Sequence, residues 1–334
     1  MHVDAAFLTL AMLVALALLF DFMNGFHDAA NSIATIVSTR VLKPYQAVLW
    51  AAVFNFVAIW LFETKVAAMV GKGIVEPGFV DNPLIFGALV GAIVWNIITW
   101  YFGIPSSSSH ALIGGMIGAA MAKAGFAPLM APGILRTTVF IFVAPMLGLL
   151  IGGLLMLAIN WVFFRFAPSR LDRWFRVSQL FTSALYSIGH GSNDAQKTMG
   201  IIWLLLMSQG MASPDHLPEW VIISCYMAIA IGTLFGGWRI IKTMGQKLTK
   251  LTPASGSAAS MGGAVTLFIA SNFGIPVSTT HTITGAILGT GAVQNPARVR
   301  WGLAANLVWA WLLTIPAAAM VAAVAFYIGT RFID

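Results

Sequence analysis

Long apolar runs dominate this chain, and short polar stretches separate them. Residues 139–164 and 301–328 are two of several runs that reach the roughly 20 apolar residues a membrane-spanning helix needs. The composition agrees, since 59% of the residues are hydrophobic and 9% are charged, against about half and a quarter in soluble domains. The pattern predicts an all-α polytopic membrane protein in contact with the lipid bilayer.

Two pairs of polar motifs indicate an internal repeat. "GFHDAANS", beginning at residue 25, aligns with "GSNDAQKT", beginning at residue 191, through a shared glycine, aspartate and alanine. "GIPSSSSH", beginning at residue 103, aligns with "GIPVSTTH", beginning at residue 274. The pairs occur in the same order, which predicts two duplicated transmembrane halves. The predicted boundaries are 1–165 for the first half, 166–173 for a cytoplasmic linker and 174–334 for the second half.

The second motif pair has the features of hairpin tips. Proline ends one helix, and a serine or threonine caps the next. The outgoing helices, about 109–124 and 280–293, are too short to cross a bilayer alone. We therefore expect two re-entrant helical hairpins. Each half then has three crossings, an odd number, so the two halves form inverted repeats.

The distribution of charge gives an orientation. Most Lys and Arg residues fall on the side of the linker, which predicts that this side is cytoplasmic and that both termini are periplasmic. The net charge is +7, and the basic residues lie in short loops between spans, so the charge does not indicate binding of nucleic acid. Cys225, the single cysteine, excludes a disulfide within the chain.

The aspartate segments carry the candidate coupling chemistry. Their glycines predict helix interruptions at 25–31 and 189–197, a transporter pattern that places the site near the midplane. A carboxylate at that depth costs about 2.5–3.5 kcal/mol, which favours a functional role. The alternative is that Asp194 and Lys197 only pair to hold a bend. The candidates for cation coupling and substrate binding are Asp28, Asn31, Asn193, Asp194, Lys197, His27 and Asp21, with Gln196 as a weaker one.

The hairpin tips carry the candidate anion chemistry. Their hydroxyl groups stand at helix N-termini, where free N–H groups and the helix dipole favour an anion. The alternative is that these small residues only pack closely and bond to the backbone. The predicted phosphate-binding residues are Ser106, Ser107, Ser108, Ser109, Ser278, Thr279 and Thr280. His110 and His281 follow, and either donate to the anion or fix the geometry of the tips.

Together these motifs resemble the PiT family of inorganic phosphate transporters over essentially the whole chain. The resemblance implies uptake of inorganic phosphate coupled to a cation gradient in the bacterial inner membrane, by a homodimer without a covalent cofactor. Where many members have asparagine, this chain has His27, as proton-coupled bacterial members do, so we expect H⁺ rather than Na⁺. The resemblance also implies a co-transported divalent metal and a PhoU-like cytoplasmic regulator.

Four other functions are alternatives. Within transport, these are a sulfate permease of the same fold and a sodium-coupled phosphate symporter. A Ser–His hydrolase is disfavoured because the Ser–His element occurs twice in symmetrical surroundings, whereas a nucleophile needs one oriented base. A passive anion channel is disfavoured because buried carboxylates would repel the anion. Asp28 or Asp194 would accept a P–OH hydrogen bond and repel sulfate, which favours phosphate.

Overall fold

The computed structural model describes residues 5–333. Residues 1–4 and 334, on which the predicted sidedness of the termini falls, lie outside the described residues. Within the described range the chain is helical, apart from short turns and an isolated antiparallel bridge between Val75 and Leu129. The all-α prediction is confirmed.

The same order of elements occurs before and after residue 165: a long helix, a bent helix pair, a hairpin, and a long helix with an internal proline. The first set is α1 (Ala5–Ser38), α2 (Pro44–Val57), α3 (Lys65–Gly73), α4 (Asn82–Phe102), α5 (Ser108–Ala124) and α6 (Ala131–Val162). The second set is α7 (Pro168–Ser208), α8 (Glu219–Phe235), α9 (Trp238–Lys242), α10 (Pro253–Asn272), α11 (Thr279–Gln294) and α12 (Trp301–Gly329). Helix α7 begins inside the predicted linker. The duplication, its inversion and its three boundaries stay predictions.

The membrane-spanning character is clear in several helices. By length and composition α1, α4, α6 and α12 can each cross a membrane, and the two bent pairs raise the number within residues 5–333 to as many as six. The chain is a multi-pass membrane protein.

The predicted interruptions at 25–31 and 189–197 are wrong. Both segments lie in continuous helix, within the 34 residues of α1 and the 41 residues of α7. Their glycines serve close packing instead of unwinding. A Cβ on Gly25 would collide with the backbone of Ile229 in α8, and one on Gly191 would lie 2.7 Å from the Cα of Asn55 in α2. Small residues allow helix backbones to approach in this way.

The breaks occur in the bent pairs. Helices α2 and α3 meet at 83°, and α8 and α9 meet at 63°. In the second pair Gly236 adopts a φ of 65°, in the left-handed region that favours glycine. The breaks therefore flank the aspartate helices, which themselves run straight through the polar region.

The hairpins form as predicted. Gly103 and Gly274 follow the C-terminal ends of α4 and α10, next to the hairpin tips, and have φ of 65° and 63°. Ser107 and Ser278 then cap α5 and α11. Both tips are buried inside the protein, so their helix N-termini converge on its interior.

Candidate functional site

The aspartate segments and the hairpin tips meet in one buried region. Each of the predicted site residues is at most 2% exposed. The region is composed of the middle turns of α1 and α7, together with the first turns of α5 and α11. Sequence reasoning therefore located the polar centre of the molecule.

Lys197 is the main connector of this centre. Its Nζ donates to Asp194 Oδ1 at 2.6 Å, to Ser109 Oγ at 2.5 Å and to the carbonyl of Val277 at 2.6 Å. It thus joins α7 to the first turn of α5 and to the second hairpin tip. The pair with Asp194 forms as the structural alternative proposed, but there is no bend for it to hold.

A second set of contacts crosses between the halves. Thr279 donates to Asp194 Oδ2 at 3.1 Å, and Asn31 donates to the hydroxyls of Thr279 at 3.2 Å and Thr280 at 2.9 Å. Thr280 in turn donates to the carbonyl of Ser106 at 3.0 Å. Asn31 of the first half is therefore bonded to the hairpin of the second half.

His27 and Asp28 form a close pair on α1. The Nδ1–H of His27 donates to Asp28 Oδ1 at 2.6 Å, and its Nε2 lies 3.0 Å from the hydroxyl of Thr99 on α4. The Thr99 hydroxyl is also within 3.0 Å of the carbonyl of Trp95. A hydroxyl has one hydrogen, so it donates either to the imidazole or to the backbone.

Some predicted residues hold the scaffold. Asn193 donates to the carbonyl of Ile275 at 3.1 Å and accepts from the N–H of Val277 at 3.2 Å, which fixes the second tip. The hydroxyl oxygens of Ser107 and Ser278 accept backbone N–H bonds as helix caps. Their hydroxyl hydrogens are not used by these bonds.

Two predicted residues lie apart from the cluster. Gln196 accepts from the N–H groups of Val66 and Ala67 at 3.0 and 3.3 Å, so it stabilises the start of α3. Asp21 is fully buried beside Asn24 and Thr198, and no hydrogen bond joins it to the other described site residues.

The two tip histidines contact each other. The rings of His110 and His281 lie 4.8 Å apart, and His281 stacks on Trp311 at 3.9 Å. Trp311 donates to the carbonyl of Pro105 at 3.1 Å. Both ring nitrogens of His281 and Nδ1 of His110 make no hydrogen bond within the described residues, so both roles of these histidines stay predictions.

Sequence reasoning missed Tyr186 and His190. Tyr186 donates to the carbonyl of Thr279 at 2.9 Å, and His190 Nε2 lies 3.4 Å from Asp194 Oδ2. Residues 186, 190 and 194 are spaced by four, so they share one face of α7. That spacing was the available signal. One ligand atom each from Asp28, His190 and Asp194 lie within 4.8 Å of one another, a grouping able to hold a metal ion.

Comparisons with known proteins identify the family of this chain. A model described as "Phosphate transporter family" matches residues 24–322. A Rhizobium meliloti protein is 57% identical over 328 residues, covering 98% of both chains, and a Bacillus subtilis protein is 43% identical over 328 residues, covering 97% of this chain and 98% of the relative. Both are described as "Probable low-affinity inorganic phosphate transporter".

A solved structure described as "The sodium-dependent phosphate transporter" is also similar. It superimposes with a TM-score of 0.89 at 25% sequence identity, covering 97% of this chain and 100% of the other. The family and these relatives are transporters, which sets the hydrolase alternative aside. The chain belongs to the phosphate transporter family.

Proposed function

We propose that this protein takes up inorganic phosphate by proton symport. One observation carries the proposal: the hydroxyl runs of both hairpins and both aspartate segments form a single buried cluster. In this mechanism phosphate binds between the first turns of α5 and α11. The hydroxyls of Ser106 and Ser108, which make no hydrogen bond within the described residues, are available as donors. The helix N-termini favour the anion further.

Charge balance supports coupling to a cation. Three buried carboxylates, Asp21, Asp28 and Asp194, accompany one buried ammonium group, that of Lys197. Adding phosphate increases the negative charge of a region from which water is largely excluded. Buried charges need partners, because an unpaired ion costs several kcal/mol or more. Phosphate therefore has to enter with positive charge.

The contacts of His27 support the proton as that charge. When the Thr99 hydroxyl donates to the backbone, both ring nitrogens of His27 face acceptors, which suits the imidazolium. When the hydroxyl turns to donate to Nε2, it suits the neutral ring with its hydrogen on Nδ1. The same heavy-atom arrangement thus accommodates His27 with and without the coupling proton. Asp28 and Asp194 are the other candidate carriers.

Sodium coupling is the second candidate function. It is favoured by the likeness to the solved transporter, which is described as sodium-dependent. The deciding experiment is uptake of labelled phosphate into proteoliposomes, with the proton and sodium gradients varied separately. Uptake that needs sodium and ignores the proton gradient would reverse the proposal.

Selectivity for phosphate over sulfate follows from the acceptor carboxylates. Near neutral pH phosphate keeps a P–OH donor, which a carboxylate accepts, whereas sulfate has none. An unpaired acceptor costs about 1–3 kcal/mol, equivalent to a preference of about 5- to 150-fold. Excess sulfate should therefore inhibit the parent protein weakly. Strong inhibition would favour the sulfate permease alternative.

The finer biological setting is also a proposal. The charge distribution supports a bacterial inner-membrane protein with periplasmic termini. Labelling of cysteines introduced at Lys247 and Asp334 should show opposite sidedness, and labelling of position 247 from outside intact cells would overturn the orientation. The homodimer, the divalent metal carried with phosphate and the PhoU-like regulator are supported by the family resemblance.

A further inference from the structure

We infer that phosphate leaves its site along a buried polar seam between α1, α7 and α10, and that Gln179 closes this seam. The inference goes beyond the proposed function, on which it rests for the identity of the ion and for the side of the membrane. Six residues form the seam, and each is at most 6% exposed: Thr35, Thr39, Gln179, Thr182, Ser257 and Ser260.

The seam begins at the candidate site. Asn31, which bonds the second hairpin, lies four residues before Thr35 and on the same face of α1. The hydroxyl of Thr35 lies 2.9 Å from that of Ser260 in α10. One further turn along the chain, Thr39 donates to Gln179 Oε1 at 2.8 Å. These contacts lead stepwise from the hairpin tip toward the end of α1.

The Gln179 side chain fills the space beside Gly256. A Cβ on Gly256 would lie 2.2 Å from Gln179 Nε2. This nitrogen makes no hydrogen bond within the described residues, although Gln179 is fully buried. A buried amide donor without an acceptor costs free energy, so packing alone does not account for it. Such a donor suits an anion that passes it.

The seam reaches the surface on the side of the linker. The hydroxyl of Ser257 lies 2.8 Å from that of Ser178, which is only partly buried. Two residues before Ser178, Arg176 donates to the carbonyl of Arg40 at 3.2 Å and to Asp172 Oδ2 at 2.8 Å. Two arginines and one aspartate give this end a net positive charge, which attracts an anion. Under the proposed orientation this end faces the cytoplasm.

The chemistry of the seam suits an ion in transit. A hydroxyl group both donates and accepts, so it can release its neighbour and donate to a phosphate oxygen. Hydrogen bonds to a charged acceptor are stronger than those between two neutral groups, which offsets the loss of the hydroxyl pairs. None of the six seam residues is charged, so the seam neither repels the anion nor retains it.

The opposite halves of the same two long helices are different. Leu13 and Phe20 of α1 and Met199 and Ile202 of α7 are buried in an apolar cluster. An anion that crossed such a cluster would lose its hydrogen bonds without replacement. In this conformation the polar route therefore leads from the site toward the linker side.

The alternative is that these hydroxyls only bond between helices or back to their own chain, as in other membrane helices. The carbonyl of Thr35, 3.0 Å away, is a second acceptor for Thr39, and Thr182 donates to the carbonyl of Gln179 at 3.4 Å. A purely structural seam would not admit a charged reagent and would not limit the rate of release.

The first measurement is thiol labelling of the full chain in membrane vesicles, in a Cys225→Ser background. Ser260→Cys should react with a membrane-impermeant anionic thiol reagent added from the linker side, and the reaction should block uptake. Thr266→Cys is the matched control and should not react, because this equally buried position of α10 bonds the carbonyl of Gly262 in its own helix. If Ser260→Cys takes up phosphate but does not react, or reacts only from the opposite side, the inference is overturned.

The second measurement separates release of phosphate from release of protons. Gln179→Leu should slow net uptake and also the exchange of labelled for unlabelled phosphate, each at least about tenfold. Exchange needs phosphate release but no net proton movement. KM for phosphate should not rise, and Gln179→Asn, which keeps an amide, should recover part of the rate. Gln209→Leu, at an exposed glutamine directly after α7, is the control.

The inference and the proposed function fail by different results. Normal exchange with slow net uptake in Gln179→Leu would assign the seam to protons and overturn the inference. Normal rates of both processes in Gln179→Leu, with uptake intact in the parent, would overturn it as well. A parent protein that takes up no phosphate would remove the proposed function. Uptake driven by sodium would reverse the proton coupling alone, since the expected effects of Gln179→Leu on exchange are the same.

Discussion

The two aspartate segments occupy equivalent positions in α1 and α7, yet their charges are balanced differently. Asp194 is paired with Lys197 of the same helix at 2.6 Å, so the second segment contains its own counter-charge. Asp28 has His27 as its partner at 2.6 Å, and that partner is charged only when protonated. The residue before each aspartate also differs, since Asn193 fixes the second tip while His27 contacts Thr99. The two segments therefore combine a fixed ion pair with a variable one, and under the proposed function coupling belongs to the variable one.

The largest effect is expected on removing the fixed charge. Lys197→Met leaves Asp194 buried without its ammonium partner, and breaking a buried pair costs about 3–5 kcal/mol. It also removes the hydrogen bonds from Lys197 Nζ to Ser109 and to the carbonyl of Val277. We expect uptake to fall at least 100-fold. Thermal unfolding of the purified variant shows how much of the loss is instability.

The double variant Lys197→Met with Asp194→Asn is the control for this prediction. It removes both charges, so it should recover much of the lost stability but little of the uptake. If Lys197→Met alone transports phosphate normally, the ion pair of Asp194 with Lys197 is not needed for uptake, and the comparison of the two segments fails.

His27→Asn makes the first segment match the second at this position and removes its titratable partner. We expect stimulation of uptake by an inward proton gradient to disappear, while uptake without a gradient falls by less than about tenfold, because an amide still bonds Asp28 and Thr99. The measurement is the initial rate with and without a pH difference across the membrane. Unchanged stimulation would move the proton to another carrier.

The packing of the two segments should be alike even though their charges are not. Gly25→Ala and Gly191→Ala each force a methyl group against a neighbouring backbone, in α8 and α2 respectively. Each should destabilise the protein by about 1–3 kcal/mol. Gly302→Ala, whose added methyl meets nothing within 4 Å, should lie within about 0.5 kcal/mol of the parent. Thermal unfolding of the three variants would contradict the comparison if Gly302→Ala were the most damaging.

The smallest effect is expected at Gln196. Its side chain supports the start of α3 from outside the cluster. Gln196→Leu should cost about 1 kcal/mol, as the loss of a helix cap does. Its KM for phosphate should stay within about twofold of the parent, since no site contact is removed. A large change in KM would instead show that Gln196 contributes to phosphate binding.

The hairpins were predictable because their signals are local. Proline, a left-handed glycine and a hydroxyl cap act within a few residues, and the helix starts were placed within one residue. The aspartate segments show the limit of that reasoning. A glycine in a helix sequence is compatible with both unwinding and close packing. For Gly25 only the three-dimensional position of α8 against it shows that its role is close packing.

Partners across the fold were equally hidden. The spacing of Tyr186, His190 and Asp194 places them on one face of α7. Their partner Asn55, whose Oδ1 lies 3.1 Å from His190 Nδ1, is in α2 and belongs to no motif. The contacts of Gln196 were hidden for the same reason, because its partners at the start of α3 are invisible in the motif that contains it.

The exchange of contacts between the halves has an evolutionary consequence. Asn31 bonds the second hairpin, and Lys197 bonds the first. Under the predicted inverted duplication, a single ancestral half would have left the hydroxyls of its own tip without these partners, and a second copy in the opposite orientation would complete them. We therefore expect a change at Asn31 to be selected together with Thr279 and Thr280, and a change at Lys197 together with Ser109.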